Sequence, residues 1–178
     1  MVRLFLVVVC FLFTLTGCTT PGAGLNPYVN TAKGYEVLFP NGWVQVKPEV
    51  PGPDVVFHDL IDPAETLSVV ISTVKSGRNL TELGSPAAVA DRLLKDVLAP
   101  ADSGRRGELL AAESRPAEDQ TYYILEFLIQ STQGTRHNLA AVTTRRGQLY
   151  TVNVAAPEER WPKVEGTLRQ AVNSFRVY

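Results

Sequence analysis

The chain is 178 residues long, 45% hydrophobic and 20% charged, with a formal net charge of -1. That length holds one globular domain with a proper core plus some extra sequence. A near-neutral balance offers no basic excess to hold a phosphate backbone, so nucleic acid is excluded as an expected partner.

The extra sequence lies at the N-terminus. Arg3 is followed by an apolar run from Leu4 to Phe13, the length of a signal h-region and, as a helix of about 15 Å, roughly half of what a bilayer's hydrocarbon requires. The run ends in Leu15-Thr16-Gly17-Cys18, which resembles a bacterial lipobox. That resemblance implies a signal peptide over 1–17 and a mature chain that starts at a diacylglyceryl-linked Cys18. Only Cys10 and Cys18 exist, so the mature domain is left without a disulfide, a thiol nucleophile or a thiolate metal site. Acyl chains contribute about 0.8 kcal/mol per buried CH₂, enough in pairs to hold a protein at a membrane surface. Residues 18–32, rich in Gly and Pro, read as a flexible tether, with the folded domain over 33–178.

Within the domain, Tyr35–Phe39 alternates as a strand and stops at Pro40, and Asn41-Gly42 turns the chain into Trp43. Val44–Val50 fits a short strand or one helical turn. Val55–Asp59 and Thr66–Val74 read as two strands joined through Asp62-Pro63. Ser85-Pro86 starts a helix whose apolar face is Val89, Leu93, Leu94, Val97 and Leu98, ended by Pro100. A polar loop spans Ala99 to Gly107, and Glu108–Arg115 is read as a strand, although Leu109–Ala112 suits a helix equally.

Three antiparallel strands then run from Tyr122 to Val154. The first, Tyr122–Ile129, is apolar on both alternating faces, as a central strand covered on both sides must be. Two-residue loops at Gln133-Gly134 and Arg146-Gly147 set a register in which Glu126 faces Ala141, which faces Val152. Ile124, Leu128, Leu139, Tyr150 and Val154 share that face; Tyr123, Leu125, Phe127, Val142 and Leu149 take the other. A carboxylate at Glu126 among such neighbours needs a hydroxyl such as Thr143 or Tyr150, an Arg, or a proton of its own. Pro157-Glu158-Glu159 opens a second helix with an apolar stripe of Trp161, Val164, Leu168, Val172 and Phe175, leaving Lys163, Arg169 and Gln170 outside it. The sum is an α+β fold: an α/β/α sandwich with a mostly antiparallel central sheet and a helix on each side.

Chemistry is sparse. His58 and His137 are the only histidines; they and Asp59 are the candidate ligands for a weak Zn, Ca or Mn ion. His58 and Asp59 are adjacent on a strand and point to opposite faces, which suits no shared ion. There is no His-x-x-x-His pair, Gly-x-Ser-x-Gly elbow, phosphate loop or EF-hand loop. A hydrolase would need one of these histidines, a serine and a carboxylate assembled across the fold. Arg105-Arg106, Arg136 and Arg145-Arg146 are candidate basic patches for an acidic partner surface.

Taken in order, Gly34-Tyr35, Phe39-Pro40, Gly42-Trp43, Val56-Phe57 with Asp59, Glu65, Leu67-Ser68-Val69, Tyr122-Tyr123, Leu125-Glu126, Arg136-His137, Gly147 with Leu149-Tyr150, Arg160-Trp161 and Ser174-Phe175 resemble the PsbP family of extrinsic photosystem II proteins, in its cyanobacterial lipoprotein branch. The resemblance implies the α/β/α sandwich, export to the thylakoid lumen and binding to the lumenal face of photosystem II; the chain itself is expected to be a monomer. It suggests no catalytic residue. Plant members support calcium and chloride retention at the oxygen-evolving cluster; here the long plant docking arm has no counterpart, which favours a role with assembly intermediates. The expected function is therefore that of a non-enzymatic, lipid-anchored protein that binds photosystem II core or assembly subunits. An ion-binding or carrier lipoprotein for calcium, manganese or zinc is the alternative.

Overall fold

The computed structural model describes residues 24–48, 52–74 and 77–178. The stretch 1–17 expected to be a signal peptide, and Cys18, lie outside the described residues. Among the described residues ten strands form two sheets: β1 (Leu25–Asn30), β2 (Tyr35–Pro40), β3 (Trp43–Val46), β4 (Pro53–Asp59), β5 (Thr66–Thr73), β6 (Arg106–Pro116), β7 (Thr121–Ser131), β8 (Gly134–Arg145), β9 (Gln148–Pro157) and β10 (Arg176–Val177). The helices are α1 (Leu80–Leu83), α2 (Pro86–Leu93), which continues as a π-helical turn over Leu94–Leu98, and α3 (Trp161–Ser174).

The main sheet has the order β3-β4-β5-β9-β8-β7-β6, and all of its pairings are antiparallel. Its two faces are the two rows read from alternation. Leu139, Ala141, Tyr150, Val152 and Val154 pack under α3 and a small sheet of order β1-β2-β10. Tyr123, Leu125, Phe127, Ile129 and Val142 pack under α1, α2 and the π-helical turn. A central sheet with apolar side chains on both faces needs a cover on each, and the three-layer sandwich supplies them.

Four local expectations change. The β7–β8 loop is Thr132-Gln133, because Ser131 pairs with Gly134 and Glu126 with Leu139. Gly134 has φ 118°, so the glycine takes its positive φ as the first residue of β8, outside the loop. The slip is two residues, an even number, and every side chain keeps its expected face. The second loop is Arg146-Gly147 as expected, with both residues at positive φ (49° and 73°), the geometry of a type I′ turn.

The second difference is at the start. Residues 25–30, placed in the tether by their Gly and Pro neighbours, form β1 against β2. Pro27 is tolerated because β1 is an edge strand, and Tyr28 has a partner at long range: its ring packs edge-on against Phe57 with centroids 5.4 Å apart. Third, the second helix begins at Trp161 with Pro162 in its first turn, while Pro157 ends β9. Fourth, Val97 is 58% exposed although it falls on the expected apolar face of the first helix. The wider π-helical turn rotates it out of the stripe. The alternatives left open resolve to strands over Trp43–Val46 and Arg106–Pro116.

Candidate docking surface

The anomaly in the central strand, Glu126, proves to be the middle of a polar chain. Arg169 reaches down from α3 and donates to both Glu126 oxygens at 2.8 Å, and His137 Nε2 lies 2.7 Å from Oε1. His137 Nδ1 in turn meets Glu158 Oε2 at 2.8 Å, and Arg169 Nε donates to Glu165 at 2.7 Å. Both ring nitrogens of His137 therefore face carboxylate oxygens, and only the imidazolium form donates from both. Trp161 stacks flat on the ring, with centroids 3.9 Å apart and planes 5° off parallel.

Burial alone would lift the Glu126 carboxyl, but the hydrogen bonds from Arg169 and His137 outweigh it and hold it below its ordinary value. Of the partners the sequence allowed, the arginine is the one used. Thr143 donates instead to the Thr121 carbonyl and Tyr150 to the Lys33 carbonyl. The apolar periodicity of α3 puts Arg169 outside the helix stripe. It sits at the stripe's border, where a long side chain can send its guanidinium inward over the apolar surface.

The remaining histidine has a different setting. His58 Nδ1 lies 2.9 Å from the Asp59 carbonyl oxygen, and Asp59 Oδ1 accepts from the backbone N–H of Ile61 and of Asp62 at 2.7 and 2.8 Å. His58, Asp59 and His137 are not brought together: among the described residues no three His, Cys, Asp or Glu side chains form a group able to hold a metal ion. Neither histidine hydrogen-bonds a serine among the described residues.

The five arginines singled out as docking residues divide between the two ends of the main sheet. Arg105 and Arg106 lie where β6 starts opposite Gln130, and Arg136 pairs with Ile129 near the start of β8. Arg136 is engaged in structure: its Nη2 donates to the Ala64 carbonyl at 2.6 Å, and burial first, then the neighbouring Arg105 charge, make its proton easier to lose than an ordinary arginine's. Arg145 and Arg146 occupy the opposite end of β8, about 30 Å away at the usual strand rise. There Arg145 pairs with Asp119 at 3.0 Å, and both line a polar cavity of about 300 Å³ with Asn79 and Thr121.

Sequence reasoning missed a further polar cavity at that second end. It measures about 670 Å³ and is lined by Glu36, Arg115, Gln120, Tyr122, Asn173 and Arg176 among others. The Arg115 guanidinium lies over the Tyr122 ring, 4.9 Å from its centroid, and donates to Asn173 Oδ1 at 2.8 Å. Its Nη2 and the Gln120 Oε1 are buried without a partner. Nothing in the local sequence joins these residues; the strand β10, only two residues long, closes the group.

The PsbP family profile matches residues 23–177. CyanoP of Thermosynechococcus vestitus is 50% identical over 173 residues, covering 94% of this chain and 93% of that protein. CyanoP of Synechocystis sp. is 44% identical over 177 residues, covering 97% and 94%. The solution structure of Synechocystis CyanoP superposes with a TM-score of 0.75 at 40% identity, over 94% of this chain and 99% of that one.

Proposed function

This chain belongs to the PsbP family, and from that premise we propose that it is a photosystem II-associated protein of the thylakoid lumen. It is held at the membrane by lipid on Cys18 and acts by contact on photosystem II core or assembly-intermediate subunits, without catalysis. The observation that carries the reading is the likeness to two CyanoP proteins across nearly the whole chain, the N-terminal segment included.

The internal chemistry supports action by contact. Three polar groups with unusual environments serve the fold: Glu126 is neutralised by Arg169, His137 is clamped between two carboxylates, and Arg136 ties β8 to the β4–β5 loop. Exposed arginines at two ends leave charged surface for acidic partners, and association of this kind is steered by charge and weakened by salt.

Chemical cross-linking in intact thylakoid membranes tests the proposal. Cross-links from this chain to lumenal segments of photosystem II subunits are the expected result. Cross-links confined to other complexes would contradict it.

A further inference from the structure

Leu60 and Ile61 are 62% and 87% exposed, adjacent, and at the tip of the β4–β5 loop. Exposed apolar residues are ordinary when scattered, but these two are held out by a built frame. Asp59 Oδ1 accepts from the N–H groups of Ile61 and Asp62, Asp59 and Glu65 close the loop through a 3.1 Å backbone bond, and Leu60 N–H donates to the Gly42 carbonyl. Arg160 pairs with both Asp62 and Glu65 at 2.7 Å, and Arg136 Nη2 donates to the Ala64 carbonyl at 2.6 Å. The flanking charges are thus Asp59, Asp62 and Glu65 against Arg136 and Arg160, nearly balanced and mostly engaged. What the loop offers outward is the apolar pair.

The chain outside the described residues joins the fold at this same end. Asn41 N–H donates to the Gly24 carbonyl at 2.8 Å, Gly42 follows, and its carbonyl accepts from Leu60. Gly24 and Leu60 are therefore bridged through one turn. From Gly24 to Cys18 is six residues, a reach of about 20 Å at full extension. An acyl-bearing Cys18 would keep the Leu60 end of the sandwich within that distance of the bilayer, while the β6–β7 turn around Glu118 sits at the other end of the sheet.

We infer that the Leu60–Ile61 tip is a membrane-contact point, inserted shallowly into the lipid headgroup region beside the N-terminal anchor, so that the sandwich stands on this end. The inference rests on the anchoring at Cys18 proposed above. A lipid surface is the occupant because Gly24, six residues from the proposed anchor at Cys18, joins the described fold beside the tip, and because an apolar apex on a nearly charge-balanced frame matches the apolar depth of a headgroup layer. The tip fixes orientation: anchor and apex together resist the tumbling that a single tether allows.

The test uses the full chain, processed and acylated, in phosphatidylcholine–phosphatidylglycerol vesicles that carry a nitroxide-labelled lipid near the headgroups. With Cys18 acylated, the variants Ile61→Cys and Glu118→Cys each offer one thiol for a fluorophore. Quenching several-fold stronger at 61 than at 118 is expected. Equal quenching at the two positions, in protein whose intact mass includes the acyl chains, overturns the orientation and leaves the anchor standing. A mass without acyl chains overturns the anchor and this inference with it. An unquenched 61 that becomes shielded only when solubilised photosystem II is added assigns the tip to a protein partner and overturns the lipid contact.

Discussion

Glu126 shows how one carboxylate can sit in the middle strand of a covered sheet. Its folded-state pKa is held below the unfolded value, so on acidification the unfolded chain takes up the proton first. The stabilisation is fully present above the ordinary glutamate value of about 4.3 and is lost as pH falls through the lowered folded value. Arg169→Ala would leave the carboxylate facing His137 alone. Because Arg169 is 37% exposed, the expected cost is about 1–3 kcal/mol, between that of an exposed pair and that of a fully buried one. Urea midpoints measured at neutral pH and near pH 4 should show the gap between wild type and Arg169→Ala narrowing in acid. A gap that stays constant would mean the pair is not the cause. The sequence made the need for a partner legible, since an alternating apolar strand with one acid poses the question. It left the partner open, because Arg169 is 43 residues away and its α3 position reads as solvent-facing.

At the scale of elements, alternation and turn residues located the main sheet but not the small one. β10 meets β2 only through long-range pairing, which local composition does not signal, whereas β1 is a local hairpin partner of β2 whose strand pattern is masked by Pro27 and the Gly- and Pro-rich residues before it. Asp54 is the clasp. Its carboxylate accepts from Tyr35 OH and Lys33 Nζ at 2.6 Å each and from Asn30 Nδ2 at 3.1 Å, joining β1 and β2 to β4. Burial would raise this carboxyl, and the bonds from Lys33 and Tyr35 bring it below its ordinary value. Tyr35 itself is fully buried, and its phenol is pushed well above its usual range by burial and then by Asp54. Asp54→Ala strands that hydroxyl away from water, at a cost of about 1–3 kcal/mol. Amide exchange should then accelerate first in β1 and β2, with β7–β9 little changed; uniform acceleration would refute the clasp. The two-residue register slip at Thr132-Gln133 belongs to the same scale, since a glycine can take positive φ beside a turn as well as inside it.

At the scale of the whole molecule, the sandwich has two unlike ends. One joins the N-terminal segment, presents Leu60 and Ile61, and has Arg105, Arg106 and Arg136 nearby. The other carries Arg145, Arg146 and the two polar cavities. If the first end stands on the membrane, the second faces outward into the lumen, with its arginines and cavities open to partners. The division is half legible in the sequence: the two turns expected at either end of one strand already separate Arg136 from Arg145 and Arg146, whereas Arg105 and Arg106 precede a stretch that suits strand or helix equally, and only the observed β6–β7 register puts them at the Arg136 end. Affinity capture from detergent-solubilised thylakoids bears on the central claim most directly. A tagged chain is predicted to bring down photosystem II reaction-centre subunits, with yield falling as salt rises. An eluate without those subunits at low salt would contradict the account.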